Sequence, residues 1–354
     1  MENATAIDSA KVEKFVGKLV SDIGTAMQGA LSYIGDKLGI FKAMADSKHY
    51  TVEELASKTG LSARYLKEWL GAMTTGEYVE YADGRYRLPP EHALPLADES
   101  FPFFVGGFIQ MIVPTVTVAP KVAEAFKTGR GVRQEEYSPE MYEAIARGTM
   151  PWYKTQLVQN WLPKLPEVVA KLQAGGSAVD VGCGHGLAAI TIAKAFPKAR
   201  VVGFDQHRGS VEKARQNAAD AGLGERVTFE VGDGTQMPSR AFDFVSTFDV
   251  VHDSIDPVGL LGSIRTALKP EGTYLMLEMH ASHDVQENQN PIGRLLYSVS
   301  TLYCMTTSLA HGGAGIGACM GEKPARELAA RAGFGHFNKL PIDDPFSYLY
   351  ELKA

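Results

Sequence analysis

The sequence predicts an α/β protein whose front is mostly helical and whose second half is a doubly wound sheet. Three observations carry this. Apolar residues recur three and four positions apart through the opening segments, the period of a helix face. Asp83-Gly84 between short alternating runs is a hairpin turn. From Gly175 onward, short β-branched runs alternate with helical patterns, which gives parallel strands joined by helices. A chain of 354 residues is long enough for two domains, each burying its own core.

From the N-terminus, residues from about Ala10 to Ala45 carry Val12, Phe15, Val16, Leu19, Val20, Ile23 and Met27 at helical spacing. Thr51 with Glu54 has capping-box spacing and starts a short helix. Gly60 permits a tight turn and Ser62 can cap a second helix, whose apolar face is Leu66, Trp69, Leu70 and Met73. After Gly76, alternation through Tyr78–Ala82 and a return strand with Tyr86 and Leu88 complete a hairpin. Helix, turn, helix and hairpin together read as a winged helix. Residues from about Ala97 to Leu172 read as helical and irregular, with Pro114, Pro120, Pro139 and Pro151 as breakers. The expected strands are Ala178–Val181, Arg200–Phe204, Val227–Val231, Phe242–Phe248, Thr273–Glu278, His336–Leu340 and Ser347–Leu352, with an antiparallel strand at the end. The domains expected are 1–97, helical and winged; 98–172, a helical linker roofing the active site; and 173–354, the sheet.

Composition narrows the function. A formal charge of −6 gives no global field for nucleic acid or an anionic membrane. Three scattered cysteines argue against a disulfide framework or zinc module and fit a reducing cytosol. The opening MENATAIDSAKVEKF has no apolar core of a secretory signal. The longest apolar run, Phe101 to Val118, is broken by glycine, glutamine and proline and reads as buried or interfacial. A cytoplasmic protein with no membrane partner is expected.

The most informative segment is AVDVGCGHGLAAITIAKAF, a buried strand that ends in Gly182-Cys183-Gly184-His185-Gly186 and runs directly into a helix. Glycines there let the backbone turn sharply and let a ligand approach. The third glycine falls one residue early for the dinucleotide pattern G-x-G-x-x-G, and Asp180 precedes the loop. VVGFDQH ends the next strand in Asp205, suited to ribose hydroxyls, and FEVGDGTQMP ends the third in Asp233-Gly234, where a carboxylate can accept from an amino group. With ALKPEGTYLMLE, these stretches resemble, in order over roughly residues 170 to 354, the Rossmann-like class I S-adenosylmethionine (SAM)-dependent methyltransferases of small molecules. The resemblance implies a seven-stranded class I methyltransferase sheet and SAM as cofactor. It implies that Gly182, Gly184 and Gly186 line the methionine part, that Asp180 stabilises the loop, that Asp205 holds the ribose, and that Asp233 and Gly234 meet the adenine. Cys183, Gln206 and Phe248 complete the expected cofactor contacts.

On the substrate side, His252-Asp253 at the end of the fourth strand resembles the His-Asp of enzymes that methylate small-molecule hydroxyls, where the histidine is the general base. Ser254 stands where the family has an aromatic residue. The other reading is that Asp253 or Ser254 caps the helix from Pro257 and His252 is a hydrogen-bonded neighbour. In the long insertion after the fifth strand, Ile292, Leu295, Leu296, Val299, Leu302 and Tyr303 recur at helical spacing and read as a mostly buried helix. Tyr297, Tyr303 and Met305 are expected to line the substrate pocket. HGGAGIG, His311 to Gly317, is a mobile lid or a close-packing turn. His280, His283, Asp284, His252 and His311 raise a metal question, but His-x-x-His falls in a loop and no metal is assigned. Cys183 and Cys304 read as packing residues.

A winged helix also admits a DNA-binding, SAM-sensing regulator. Ser47 through Leu70 holds four Lys/Arg against three Asp/Glu, a net of +1, thin for phosphate contacts. Methyl transfer to a small-molecule acceptor, with oxygen favoured over sulfur, nitrogen or carbon, is therefore the leading expectation, with a homodimer through the N-terminal domain and no nucleic-acid partner.

Overall fold

The computed structural model describes residues 7–353. Residues 1–6, where the segment read as lacking a secretory signal begins, lie outside them. The chain divides into two compact units, residues 1–113 and 114–354.

In the first unit, a helix over Ser9–Lys37 is capped by Asp8, which accepts from the backbone of Ala10 at 3.1 Å. The sequence suggested one helix to Ala45. The chain instead breaks at Gly39, which takes φ 68°, and restarts as Ile40–Met44. That left-handed residue turns the chain so that Ile40, Phe41 and Met44 enter the core with Leu55, Leu66, Trp69, Leu70 and Met73. The capping box forms as expected: Glu54 N donates to Thr51 Oγ1 at 3.2 Å and Thr51 N to Glu54 Oε2 at 2.8 Å. Ser62 precedes the Ala63–Thr75 helix, but its side chain makes no capping bond. The hairpin pairs β1 (Glu80–Ala82) with β2 (Arg85–Arg87), and Asp83 and Gly84 both take positive φ, as a type I′ turn requires. Trp69 locks the long helix to this module: its indole donates to Leu31 O at 2.8 Å, and a Cβ on Gly35 would stand 2.4 Å from its ring. Toward the start of the long helix the apolar face is bare, with Val12, Phe15, Val16, Leu19, Val20, Ile23 and Met27 42–67% exposed.

Ahead of the sheet, residues 106–173 are largely helical. Proline does not break every helix there. Pro114 and Pro151 lie inside helices (Gly106–Val116, Glu140–Trp152). Past Pro151 the helix widens into a π-helical stretch, Tyr153–Trp161, which is how it continues beyond a residue with no N–H to donate. The sheet is seven-stranded, in the order β5-β4-β3-β6-β7-β9-β8. The strands are β3 (Ser177–Val181), β4 (Arg200–Asp205), β5 (Val227–Val231), β6 (Phe242–Phe248), β7 (Leu268–Met279), β8 (His336–Leu340) and β9 (Ser347–Lys353). Four neighbouring pairs, joining the five strands β5 to β7, are parallel, and β9 runs antiparallel between β7 and β8. β7 starts earlier than expected, at Leu268, after which its register on β6 shifts. No helix among the described residues is long and apolar enough to cross a membrane.

Gly35→Val places two methyl groups on the Trp69 ring, so overpacking should cost about 1–3 kcal/mol. Urea unfolding checks this; an unchanged midpoint would mean the Trp69 contact is not tight.

Candidate active site

The parallel strands end level with one another, and their carboxyl ends carry most of the expected residues. β3 runs into Gly182, Gly184 and Gly186, all at positive φ, and then the Leu187–Ala195 helix. Two of these glycines are there for packing: a Cβ would stand 2.4 Å from Val250 at Gly182 and 2.5 Å from Phe229 at Gly186. At Gly184 it would meet nothing within 4 Å, so that stretch of backbone faces open space. Asp205, at the end of β4, ties the loop down. Its Oδ2 accepts from Gly184 N at 2.8 Å and its Oδ1 from His207 N at 2.8 Å. Burial pushes its carboxyl up, against the pull of those two bonds.

Asp180 is 2% exposed and accepts from Ser246 Oγ on β6 at 2.9 Å, which anchors it to the sheet. Burial pushes it up to about 7. Asp233 is exposed, and its Oδ1 holds Thr235 through the backbone at 2.9 Å and the hydroxyl at 2.6 Å; those bonds keep its carboxyl below the usual range. Gly234 sits where a Cβ would lie 2.6 Å from Val181. Gln206 reaches Gln134 at 3.4 Å, and His207 stacks on Tyr142 with centroids 3.9 Å apart. Phe248 packs against Tyr153 and Trp161 of the π-helical stretch, and Cys183 is buried. The crevice therefore offers carboxylates, an open backbone turn and aromatic walls. No Lys or Arg stands in the loop. Those carboxylate acceptors fit a ligand with hydroxyl and amino groups to donate and disfavour a polyphosphate.

His252 is 1% exposed on the short 3-10 turn Val251–Asp253 after β6. Its Nδ1 lies 2.5 Å from Glu278 Oε2, at the end of β7, and Glu278 Oε1 accepts from Val251 N at 2.9 Å. On the other side Nε2 lies 3.1 Å from Asp253 Oδ1. Burial by itself lowers the histidine, but the Asp253 and Glu278 charges outweigh it and hold the imidazole well above its usual value. The helix Pro257–Ala267 is capped by Asp256, which accepts from Gly259 N at 2.9 Å, so capping requires neither Asp253 nor Ser254.

Glu278 was not singled out in the sequence. Its signal was a single charge ending the apolar run YLMLE beside the strand that carries His252. Asp249 was missed as well. It takes φ 57°, its buried Oδ1 has no hydrogen-bond partner, and burial beside Glu278 pushes it up to about 8.

In the insertion, helices over Pro291–Val299 and Met305–Ala310 flank a π-helical turn, Ser300–Cys304. The insertion helix is only half-buried: Leu296 and Tyr303 are 7% exposed, but Leu295 is 42% exposed because the helix lies on the surface of the unit. Tyr303 packs edge-on against Tyr137, 5.1 Å between centroids. Met305 lies against Gly317, whose N–H donates to His252 O at 3.2 Å. Tyr297 is 37% exposed, with its hydroxyl 3.2 Å from Asn288 at the head of the insertion. HGGAGIG is a close-packing turn: Ala314 N donates to Ile255 O at 3.0 Å and Gly315 N to Ser308 Oγ at 3.2 Å. His280 and His283 line surface clefts of about 440 and 400 Å³ with Lys339 and Tyr348, away from His252, and His311 is exposed.

Residues 172–333 match the family described as "Methyltransferase domain", and residues 26–97 match the "Rv2258c-like winged HTH domain". The chain carries a methyltransferase domain behind a winged helix. A sterol 24-C-methyltransferase of Eremothecium gossypii is 28% identical over 52% of this chain and 47% of its own length. A demethylmenaquinone methyltransferase of Symbiobacterium thermophilum is 26% identical over 41% of this chain and 60% of its own length. The chain thus spans less than two thirds of these curated relatives. A putative O-methyltransferase structure from Nostoc punctiforme superposes with TM-score 0.70 at 19% identity over 99% of this chain and all of its own. Human N-acetylserotonin methyltransferase in complex with SAM gives 0.64 at 18% identity over 99% of both chains. The fold is that of class I methyltransferases, as the motifs implied.

Asp180 gives the methyltransferase domain a test of its own. A carboxyl that titrates near 7 folded and about 3.9 unfolded binds more protons in the folded state across that window, so it costs stability as pH rises through it. The stability of Asp180→Asn relative to the wild type should therefore climb from about pH 4 to 7, by up to about 1.4 kcal/mol per pH unit, and then level off. Thermal melts across that range decide; a flat difference removes the buried-acid account.

Proposed function

We propose that the protein transfers a methyl group from SAM to a hydroxyl of a small molecule, with His252 as the base. The observation that supports this most directly is the buried imidazole held by Glu278 at 2.5 Å, beside a strand-end crevice built for a ligand rich in hydroxyl and amino groups. SAM, when bound, supplies a methyl group already activated on a sulfonium. The residues here have to hold, align and exclude water.

In this reading the Gly182–Gly186 loop gives the cofactor its backbone approach at Gly184, while Asp205 accepts from ribose hydroxyls with the lone pairs its two backbone bonds leave over. Asp233 accepts from the adenine amino group with Oδ2. Cys183, Gly234, Gln206 and Phe248 border the same crevice, and Tyr153 and Trp161 back Phe248 to keep water out. Glu278 holds the Nδ1–H of His252, which leaves Nε2 as the proton acceptor once it has given up its own proton, and two neighbouring carboxylates make that nitrogen a stronger base than free imidazole. Tyr303 and Met305 stand nearest as walls for the acceptor; Tyr297 contributes from the rim. Attack by sulfur, nitrogen or carbon needs the base less, and the base is why oxygen is favoured.

His252→Ala should slow turnover by about a hundredfold or more and leave SAM affinity nearly unchanged, whereas Asp205→Asn should weaken SAM by about tenfold, worth about 1.4 kcal/mol. Calorimetric SAM titration together with a methyl-transfer assay over hydroxylated acceptors reads both. Full turnover in His252→Ala would remove the base; no SAM binding by the wild type would remove the whole reading.

The bare apolar face of the Ser9–Lys37 helix is assigned to a second copy of the chain. Seven large apolar side chains on one helix face are a burden in water that a like surface relieves. DNA binding gains little support from the winged helix, where Arg64 is paired with Glu68 at 2.5 Å. Val16→Glu with Val20→Glu should convert a dimer to a monomer in sedimentation. A wild-type monomer at micromolar concentration would sink the assignment.

A further inference from the structure

The surroundings of His252 hold more donor chemistry than proton transfer requires. Glu278 occupies the Nδ1 side and is committed, one oxygen to the imidazole and the other to Val251 N. The Nε2 side carries Asp253 and Cys304, and one donor atom from each of His252, Asp253 and Cys304 lies within 4.8 Å of the others. Asp253 Oδ1 is buried and has no hydrogen-bond partner, although Nε2 stands only 3.1 Å away. An imidazole nitrogen and a carboxylate oxygen that face each other at 3.1 Å, with a buried thiol beside them, form a cluster in which a cation can replace the protons. The placement follows from the backbone: His252 and Asp253 share the 3-10 turn after β6, and the π-helical turn Ser300–Cys304 brings Cys304 to the same spot.

We propose that His252 Nε2, Asp253 Oδ1 and Cys304 Sγ form a binding site for a borderline-soft divalent cation, best matched by Zn²⁺. One imidazole, one carboxylate and one thiolate form a zinc-type ligand set, and three protein ligands leave a fourth position open. Tetrahedral ligands about 2.0–2.3 Å from zinc stand roughly 3.3–3.8 Å apart, a small adjustment from the spacing here. Glu278 orients the imidazole through Nδ1, as carboxylates do behind metal-bound histidines. Binding releases the Cys304 thiol proton and the proton on His252 Nε2 to solvent. The other convergent set, Asp249, His252 and Glu278, is the weaker candidate because Glu278 is already spent on its two hydrogen bonds. One consequence rests on the methyl-transfer reading above: the cation takes the nitrogen that would receive the acceptor's proton, so zinc inhibits turnover. The site itself does not depend on that reading.

The test uses the full-length, metal-stripped protein and no methyl acceptor, so it stands or falls apart from the catalytic assignment. Zn²⁺ is titrated against a chromophoric chelator, and Co²⁺ is added as a spectroscopic probe. One equivalent per chain is expected, with a thiolate-to-cobalt charge-transfer band in the near ultraviolet. Cys304→Ser should abolish the band and weaken Zn²⁺ by about tenfold or more, and Asp253→Asn should weaken Zn²⁺ while keeping the band. Cys319→Ser should change neither. No stoichiometric uptake by the folded wild type, or a band that survives Cys304→Ser, overturns the proposal.

Discussion

The register of the parallel strands is the constraint on which the candidate site depends. Pairing sets Val181 opposite Phe204 on one side and Thr247 on the other, and Phe248 opposite Leu277. Four strands therefore reach their carboxyl ends together, and the residues just past those ends are delivered side by side: the glycine loop, Asp205, the His252 turn and Glu278. A slip of one residue would turn every side chain of a strand to the other face and carry Glu278 away from His252. The apolar pairing that holds this register, from Val179, Val245, Leu275 and Met276, lies in the buried centre of the sheet.

The second constraint is electrostatic. Asp180, Asp249 and Glu278 are carboxyls taken out of water within one unit, and each has a different answer to the cost. Asp180 leans on the Ser246 hydroxyl and stays half-titrated near neutrality. Glu278 has a full complement, a backbone N–H and an imidazole. Asp249 has none for Oδ1 and retains its proton to about pH 8. The imidazole is thus held between the Glu278 and Asp253 carboxylates, whose charges outweigh the cost of its burial and explain its raised basicity.

Legibility in the sequence followed the range of the interaction. The capping box, the Asp83-Gly84 turn, the seven strands and the glycine loop are local patterns, and each lies close to where the residues alone put it. Asp205 and Asp233 were visible because a polar residue ending a β-branched run has few structural reasons to be there. Glu278 was invisible for the converse reason: its partner is 26 residues away on the turn past the end of a neighbouring strand, and only the register joins them. The break at Gly39 and the π-helical stretch after Pro151 were also hidden, since tertiary packing, not the helical period, decides where a long helix bends. Leu295 shows the same limit, because helical spacing says which residues share a face and not whether that face meets anything.

That last distinction also separates the two ends of the Ser9–Lys37 helix. Both ends are amphipathic by spacing. At the C-terminal end the apolar face meets Trp69, and the fit is close enough that position 35 admits only glycine. At the N-terminal end the same period continues through Phe15, Val20 and Ile23 with nothing from its own unit against it. A helix of 29 residues does not carry such a face by propensity alone; the stripe is apolar surface that the winged-helix core leaves uncovered. The helix therefore serves one core through its C-terminal end and carries a bare apolar stripe at the other.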